Sequence, residues 1–188
     1  MPTSSTLDLI ERIGQLIRFE QREIGIRDEL HPIHIQVMQY LNKCNRYSDT
    51  PLALTQYLGS TKGTISQSIL VLERKQLLKK IADEKDKRMV HLKLTLKAKK
   101  LLKKIDELIL SKNLMNQYSK DVQDTVDNTL QSILRDMQLR NNNRTFGQCS
   151  SCRFFLKEKG DKFRCGLTKE PLKLEETFKI CLEHEINE

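Results

Sequence analysis

Tryptophan is absent from this chain, and aromatic residues make up only 5% of its 188 residues. That scarcity argues against an aromatic-rich β-sandwich and for helices packed through aliphatic side chains. Glycine and proline are few, at seven and four, too few for a collagen-like or low-complexity chain. No apolar run approaches the roughly 18 residues needed to span a bilayer. The opening stretch MPTSSTLDLIERIGQLIRFEQ carries Asp8 and Glu11 where a signal peptide has its apolar core. The expectation is a mainly helical, soluble, cytoplasmic protein with no membrane partner. Cysteine is missing from most of the chain: Cys44 stands alone, and the other four fall within the last forty residues.

Charge is present in excess of one sign. The net charge is +8 and the pI about 9.3, so polyanions, nucleic acid first among them, are the expected partners. The charge is also concentrated. Between Thr61 and Lys104 fourteen Lys or Arg face only Glu73, Asp83, Glu84 and Asp86, a net +10 that exceeds the charge of the whole chain. A lysine-rich solvated helix surface accounts for Lys97 to Lys104, but not for the clustering upstream.

Periodicity divides the chain. Residues 6–27 place Leu9, Ile13, Leu16, Ile17 and Ile24 at helical spacing, with Leu7, Ile10 and Phe19 widening the apolar surface. A second helix begins near His31, with Pro32 in its first turn, and ends before the polar run NRYSD. In TPLALTQYLGS, Thr50 caps a short helix, Pro51 takes its first position and Gly59 stops it. STKGTISQSILVLERKQLL then starts another helix from Ser60 or Thr61, burying Ile65, Ile69 and Leu72 and leaving Lys62, Thr64, Gln67 and Ser68 on other faces. Two helices joined by a tight turn, the second opening on small polar residues, form a helix-turn-helix pattern. Beyond it Val90, Leu92, Leu94 and Leu96 alternate with polar residues, the period of a strand, and DEKDKR is the charged turn of a hairpin. Together these elements make a winged helix.

The segment from about Leu30 to Leu102 resembles the DNA-binding lobe of the MarR family of bacterial regulators. GTISQSILVLERKQLL, the wing DEKDKR and VHLKLT carry the resemblance. The family's wing pattern, D-x-x-D-[RK]-R followed by a strand ending L-T-x-x-G, is kept at Asp83, Asp86, Lys87, Arg88, Leu94 and Thr95. It departs at Ala98 and Gln76, where glycine is usual, and both departures concern turns rather than DNA contacts. The resemblance implies a homodimer whose terminal helices interlock across a two-fold axis, and a small-molecule effector between those helices and the lobe.

The expected organisation is a winged-helix domain over 1–140, a linker over 141–148 and a four-cysteine tail over 149–188. Within the first, dimerisation helices span about 4–27, 97–110 and 119–139, with Ser119 capping the last, around a lobe over 30–96. Lys62, Gly63, Thr64, Ser66 and Gln67, with Thr61 at the helix start, are the candidates for the major groove, and Lys87 and Arg88 for the minor groove or its phosphates. Ser66 can instead face inward toward Ile69. Asp83 and Asp86 would orient the two wing cations. The expected function is a sequence-specific transcription regulator, a repressor, on double-stranded DNA; the alternative is an architectural or protein-interaction module with a purely structural zinc site.

The tail spacing is Cys149-x2-Cys152-x12-Cys165-x15-Cys181. A C-x2-C turn points two thiolates at one ion. A hairpin turning at Lys159-Gly160-Asp161 and a helix in PLKLEETFKICLEHE would bring the other two sulfurs round the same centre, supplying folding energy to a segment with little core of its own. Three occupancies fit the donor set: structural Zn²⁺, an iron–sulfur cluster, and free thiols or a redox disulfide. The second would make the tail a redox or oxygen sensor. His184 is expected on the surface and Cys44 in the core. No Ser-His-Asp, H-E-x-x-H or phosphate-loop pattern occurs, and four cysteine ligands leave no open metal position for water, so an enzyme is not expected.

Overall fold

Ser5 opens the first helix by accepting a hydrogen bond from the Asp8 N–H at 3.2 Å, while Asp8 accepts one from the Ser5 N–H at 2.8 Å. This reciprocal cap starts α1, Thr6–Gly25, in a computed structural model that describes residues 5–84, 86–140 and 145–186. A 3₁₀ turn at Ile26–Asp28 leads to α2, Pro32–Lys43, whose N-cap is His31. Thr50 caps α3, Pro51–Tyr57, by accepting from the Ala53 N–H, and Gly59 ends that segment at φ 56°, a conformation glycine adopts without a Cβ clash. Thr61 caps α4, Lys62–Arg74, in the same way through the Thr64 N–H. Two antiparallel strands follow, β1, Leu78–Ala82, and β2, Val90–Leu94, paired Leu78 with Leu94 and Ala82 with Val90.

Next come α5, Leu96–Leu108, a 3₁₀ segment at Leu110–Gln117, and α6, Lys120–Arg140, where the Gln123 N–H reaches the Ser119 carbonyl at 3.0 Å. The tail holds a three-stranded antiparallel sheet in the order β3, Phe155–Glu158; β4, Lys162–Cys165; β5, Pro171–Leu172; and a single turn of helix, α7, Leu174–Thr177. The fold is mostly helical, a winged helix with a small antiparallel wing.

The main core sits between α2, α3, α4, β1, β2 and α5. Ile35, Val37, Met38, Leu54, Ile65, Leu72, Leu78, Leu92 and Ile105 are its fully buried members. Tyr40 is buried among them, with its hydroxyl donating to the Ser48 carbonyl at 2.8 Å, and burial raises its pKa far above the phenolic range. Cys44 is buried as expected, its thiol pushed up to about 12 by desolvation.

Four readings of the sequence need correction. Ser68 faces the core, not solvent: it lies three residues after Ile65 on the same helical face, and its hydroxyl donates to the Thr64 carbonyl at 2.8 Å. Ala98, expected in a turn, is fully buried in the first turns of α5. The helix expected to carry Cys181 is only the one turn of α7; Pro171–Leu172 joins the sheet, and Cys181 lies beyond the helix. The backbone there is claimed by long-range bonds instead: Ile180 N–H to the Lys43 carbonyl, Asn45 N–H to the Ile180 carbonyl, both at 2.9 Å, and Leu182 N–H to Ser48 Oγ at 2.7 Å. Finally, His184 is buried rather than exposed.

Of the linker read at 141–148, residues 141–144 lie outside the described residues. Thr145 to Gln148 pack into the molecule, Phe146 meeting the Tyr57 ring edge-on at 5.4 Å. Residues 1–4 and 187–188, at the ends of the first helix and the tail as read, also lie outside them. Among the described residues no helix is long and apolar enough to cross a membrane.

Candidate nucleic-acid interface and cysteine centre

The first turns of α4 put Thr61, Lys62, Gly63, Thr64, Ser66 and Gln67 on the surface, so Ser66 points outward and not at Ile69. Thr61 and Thr64 hydroxyls are 2.9 Å apart, so the cap fixes both. A Cβ built on Gly63 would meet only Thr61 Oγ1, at 3.8 Å. Nothing in the chain therefore requires glycine there, and the space above it opens outward, where an external surface can come close.

In the wing, Asp83 accepts the Asp86 N–H at 2.7 Å and Asp86 accepts the Arg88 N–H at 3.0 Å, which folds the turn. The Asp86 carboxylate also takes Arg88 Nε at 3.0 Å and Nη2 at 3.2 Å, and these bonds with Arg88 hold its pKa below the usual carboxylate range. Arg88 is nonetheless 92% exposed, its guanidinium aimed by Asp86 at the surface. Lys87 is exposed beside it. Asp86 bonds the Arg88 guanidinium, whereas Asp83 meets the Asp86 N–H and His91. Gln76, where glycine is usual, adopts φ 58°, so the chain keeps the turn and carries the ~1–2 kcal/mol cost of the left-handed region. Its carbonyl accepts the Thr95 hydroxyl at 2.8 Å.

The wing is anchored by residues that the sequence reading passed over. Asp49, buried, places Oδ1 2.5 Å from His91 Nδ1, receives Lys93 Nζ on Oδ2, and offers its carbonyl to the Leu92 N–H at 2.7 Å. His91 Nε2 lies 3.1 Å from Asp83 Oδ2. Its pKa is raised, chiefly by the bond to Asp49, because two carboxylates facing the ring favour its charged form. Asp49 belongs to a polar run that reads as a plain turn, and pairing across 42 residues leaves no trace in periodicity.

The four tail cysteines come from three segments and line one cavity of ≈ 30 Å³ together with Asn45, Tyr47, Phe154, Phe155, Leu167 and Leu172. Cys149 and Cys152 are linked by a 3₁₀ turn, the Cys152 N–H donating to the Cys149 carbonyl at 3.1 Å. Cys165 ends β4 and accepts the Lys169 N–H at 2.8 Å; Cys181 is held by its N–H on the Gly147 carbonyl at 2.9 Å. Cys149 and Cys181 are buried. Their interaction with each other lowers the Cys181 pKa and raises that of Cys149. Asn45 Nδ2 donates to Cys149 Sγ at 3.4 Å. Among the described residues no three His, Cys, Asp or Glu side chains are already drawn together as a metal-binding set. His184 stays out of the cavity: Thr145 Oγ1 donates to its carbonyl at 2.8 Å and Ser151 Oγ lies 3.0 Å from Nε2, while burial lowers its pKa.

Comparison with known proteins gives the fold a context. A family described as "Winged helix DNA-binding domain" matches residues 30–98. No curated protein sequence matches the chain. Among solved structures, apo MarR from E. coli is similar with a TM-score of 0.57 at 19% identity, covering 70% of this chain and 98% of that one. The S. aureus MepR–DNA complex gives 0.57 at 21%, covering 70% and 97%. CouR from Rhodococcus jostii bound to p-coumaroyl-CoA gives 0.58 at 15%, covering 70% and 92%. Those chains are matched nearly whole while this one is not, so it carries segments that they lack. Residues 30–98 thus match the winged helix DNA-binding domain family, and the fold of the chain is similar to that of the MarR and MepR structures.

Proposed function

We propose that this protein is a homodimeric, sequence-specific DNA-binding transcription regulator, a repressor, that reads a pseudo-palindromic duplex and answers to redox, oxygen or metal state through its cysteine tail. The observation that carries the reading is the wing and α4 together: an aimed Arg88 and an exposed polar helix start within a segment of net +10, on a winged-helix fold. Short polar side chains at the start of α4 suit base edges in the major groove, and a pinned arginine suits the narrow minor groove. The similar MepR structure is a complex with DNA, which supports the same partner here. CouR's bound p-coumaroyl-CoA supports a second input, a small-molecule effector.

Dimerisation is supported by apolar surface with nothing to cover it. Leu9, Ile13 and Leu16 of α1 are each more than half exposed, and α6, about 31 Å long, buries none of its residues within the chain. A two-fold pair of such lobes fits half-sites about one helical turn apart.

Enrichment from random duplex DNA tests the proposal, with a two-fold symmetric motif expected. Arg88→Ala is expected to weaken binding on the order of tenfold and to lower the salt slope by about one. Unchanged affinity at matched salt would remove the wing assignment. Enrichment of no motif above background would make the protein an architectural module instead.

A further inference from the structure

We infer that Cys149, Cys152, Cys165 and Cys181 close as a tetrathiolate around one Zn²⁺ ion, and that the Asn45–Asp49 loop transmits the ion's presence to the DNA-binding wing. Only the final DNA readout rests on the function proposed above.

The cavity argues for one ion. All four cysteines line one pocket with Asn45, Tyr47 and apolar side chains, and a single ion is the smallest group that four thiolates can share. Four soft thiolates suit zinc, which takes them tetrahedrally, and a full set of four leaves no place for a reacting water. An outer-sphere donor is already in position. Asn45 Nδ2 donates to Cys149 Sγ, a contact of the kind that steadies metal-bound thiolates. Cys149 and Cys181 are buried and fixed, whereas Cys152 and Cys165 are half-exposed. Zinc closes the set by drawing the second pair onto the first.

The loop that supplies Asn45 and Ser48 is the same loop that seats the wing. Asn45 pairs with Ile180 and bonds Cys149; Ser48 Oγ accepts the Leu182 N–H; Asp49, next in sequence, holds His91, Leu92 and Lys93 of β2. Arg46 adds a clamp to the tail, with Nη1 2.8 Å from Glu176 and Nη2 3.2 Å from Glu170. Closing the cysteines therefore orders five consecutive residues that end on the wing's anchor. Losing the ion releases the four sulfurs from one another, so the Asn45–Cys149 bond and the backbone pairing at Ile180 and Leu182 loosen, and Asp49 with them.

The test uses the full chain purified without oxygen. Metal and sulfide analysis is expected to give one zinc per chain and no sulfide, and Co²⁺ exchange to give the visible bands of a tetrahedral thiolate site. Iron with sulfide, or no metal, overturns the inference. Chelation followed by amide hydrogen exchange is expected to raise exchange at 45–49 and 90–94 while leaving α4 unchanged, and zinc to restore it. Duplex affinity is expected to fall about tenfold on chelation. In His91→Gln, zinc content is expected to persist while the effect of chelation on affinity disappears. Zinc bound but exchange and affinity indifferent to chelation refutes the coupling. Cys165→Ser should lose the metal; if it does not fold, chelation and reconstitution of the unaltered chain still decide. If neither form binds any duplex, the DNA-binding reading fails, and metal content and amide exchange still judge this inference.

Discussion

Replacing Asp49 with Ala tests how the wing is held. Asp49 is 4% exposed and accepts from two side chains, His91 and Lys93. A hydrogen bond to a charged group contributes about 1.5–3 kcal/mol, which applies to His91, 16% exposed at its side chain. Lys93 is 47% exposed, and screening reduces its share to below about 1 kcal/mol. The loss on Asp49→Ala should therefore be about 2–4 kcal/mol, read from urea unfolding followed by circular dichroism with an unchanged m-value. The His91 part depends on pH. Its folded pKa is raised above the ordinary value near 6.5, so its contribution is complete below that pH and is lost as pH rises through the folded value. Asp49, Asp83 and Lys93 are the charged groups facing it, and of the three only Lys93 opposes the charged imidazolium. A double-mutant cycle between Asp49 and His91 should then give a larger coupling at pH 6 than at pH 8.5. A total loss under about 0.5 kcal/mol, or a coupling that does not change with pH, would refute the reasoning.

Gly147→Ala should destabilise the tail by about 1–3 kcal/mol, because the new Cβ would lie 2.4 Å from His184 Nε2 in a buried site; thermal unfolding measures it. Leu134→Glu on α6 should push the oligomer toward monomer in sedimentation, since a 55% exposed leucine covered by a partner contributes about 1.5 kcal/mol or more. Thr61→Ala removes the cap of α4 and should cost about 1 kcal/mol of stability, with frayed amides at 62–64 in hydrogen exchange.

Local chemistry was readable in the sequence where it acts over a few residues. Thr50 with Pro51, Thr61 as a cap, Gly59 as a stop and the Lys159–Asp161 turn all announce themselves through side-chain chemistry fixed by near neighbours. The wing was readable in the alternation of Val90, Leu92 and Leu94, although Leu96, read as continuing it, opens α5 because Thr95 caps a helix there. What failed involved distant partners. Helix formers in PLKLEETFKICLEHE suggested one long helix, but Lys43 and Asn45 take the backbone at Ile180 and stop it. His184 reads as a surface residue by type, yet Thr145 and Ser151 satisfy its ring and so permit burial. The spacing suggested four sulfurs round one centre; the four cysteines line one cavity, but among the described residues no three metal-ligating side chains are drawn together, and Asn45 and Tyr47 on its wall left no signal in the sequence.

The docking of the tail has a consequence for the order in which the molecule is made. Bonds from Asn42 to Lys179, from Arg46 to Glu176 and from Ser48 to Leu182 join residues 130 to 137 positions apart. Closing loops of that length is entropically expensive and slow relative to the local helices. During synthesis α2, α3, α4 and the wing strands leave the ribosome long before Ile180 does, so they form with the 45–49 loop unsupported. The nascent chain thus forms α4 and the wing on Asp49 first, and the 45–49 loop gains its bonds to the tail only after Ile180 and Leu182 have been made.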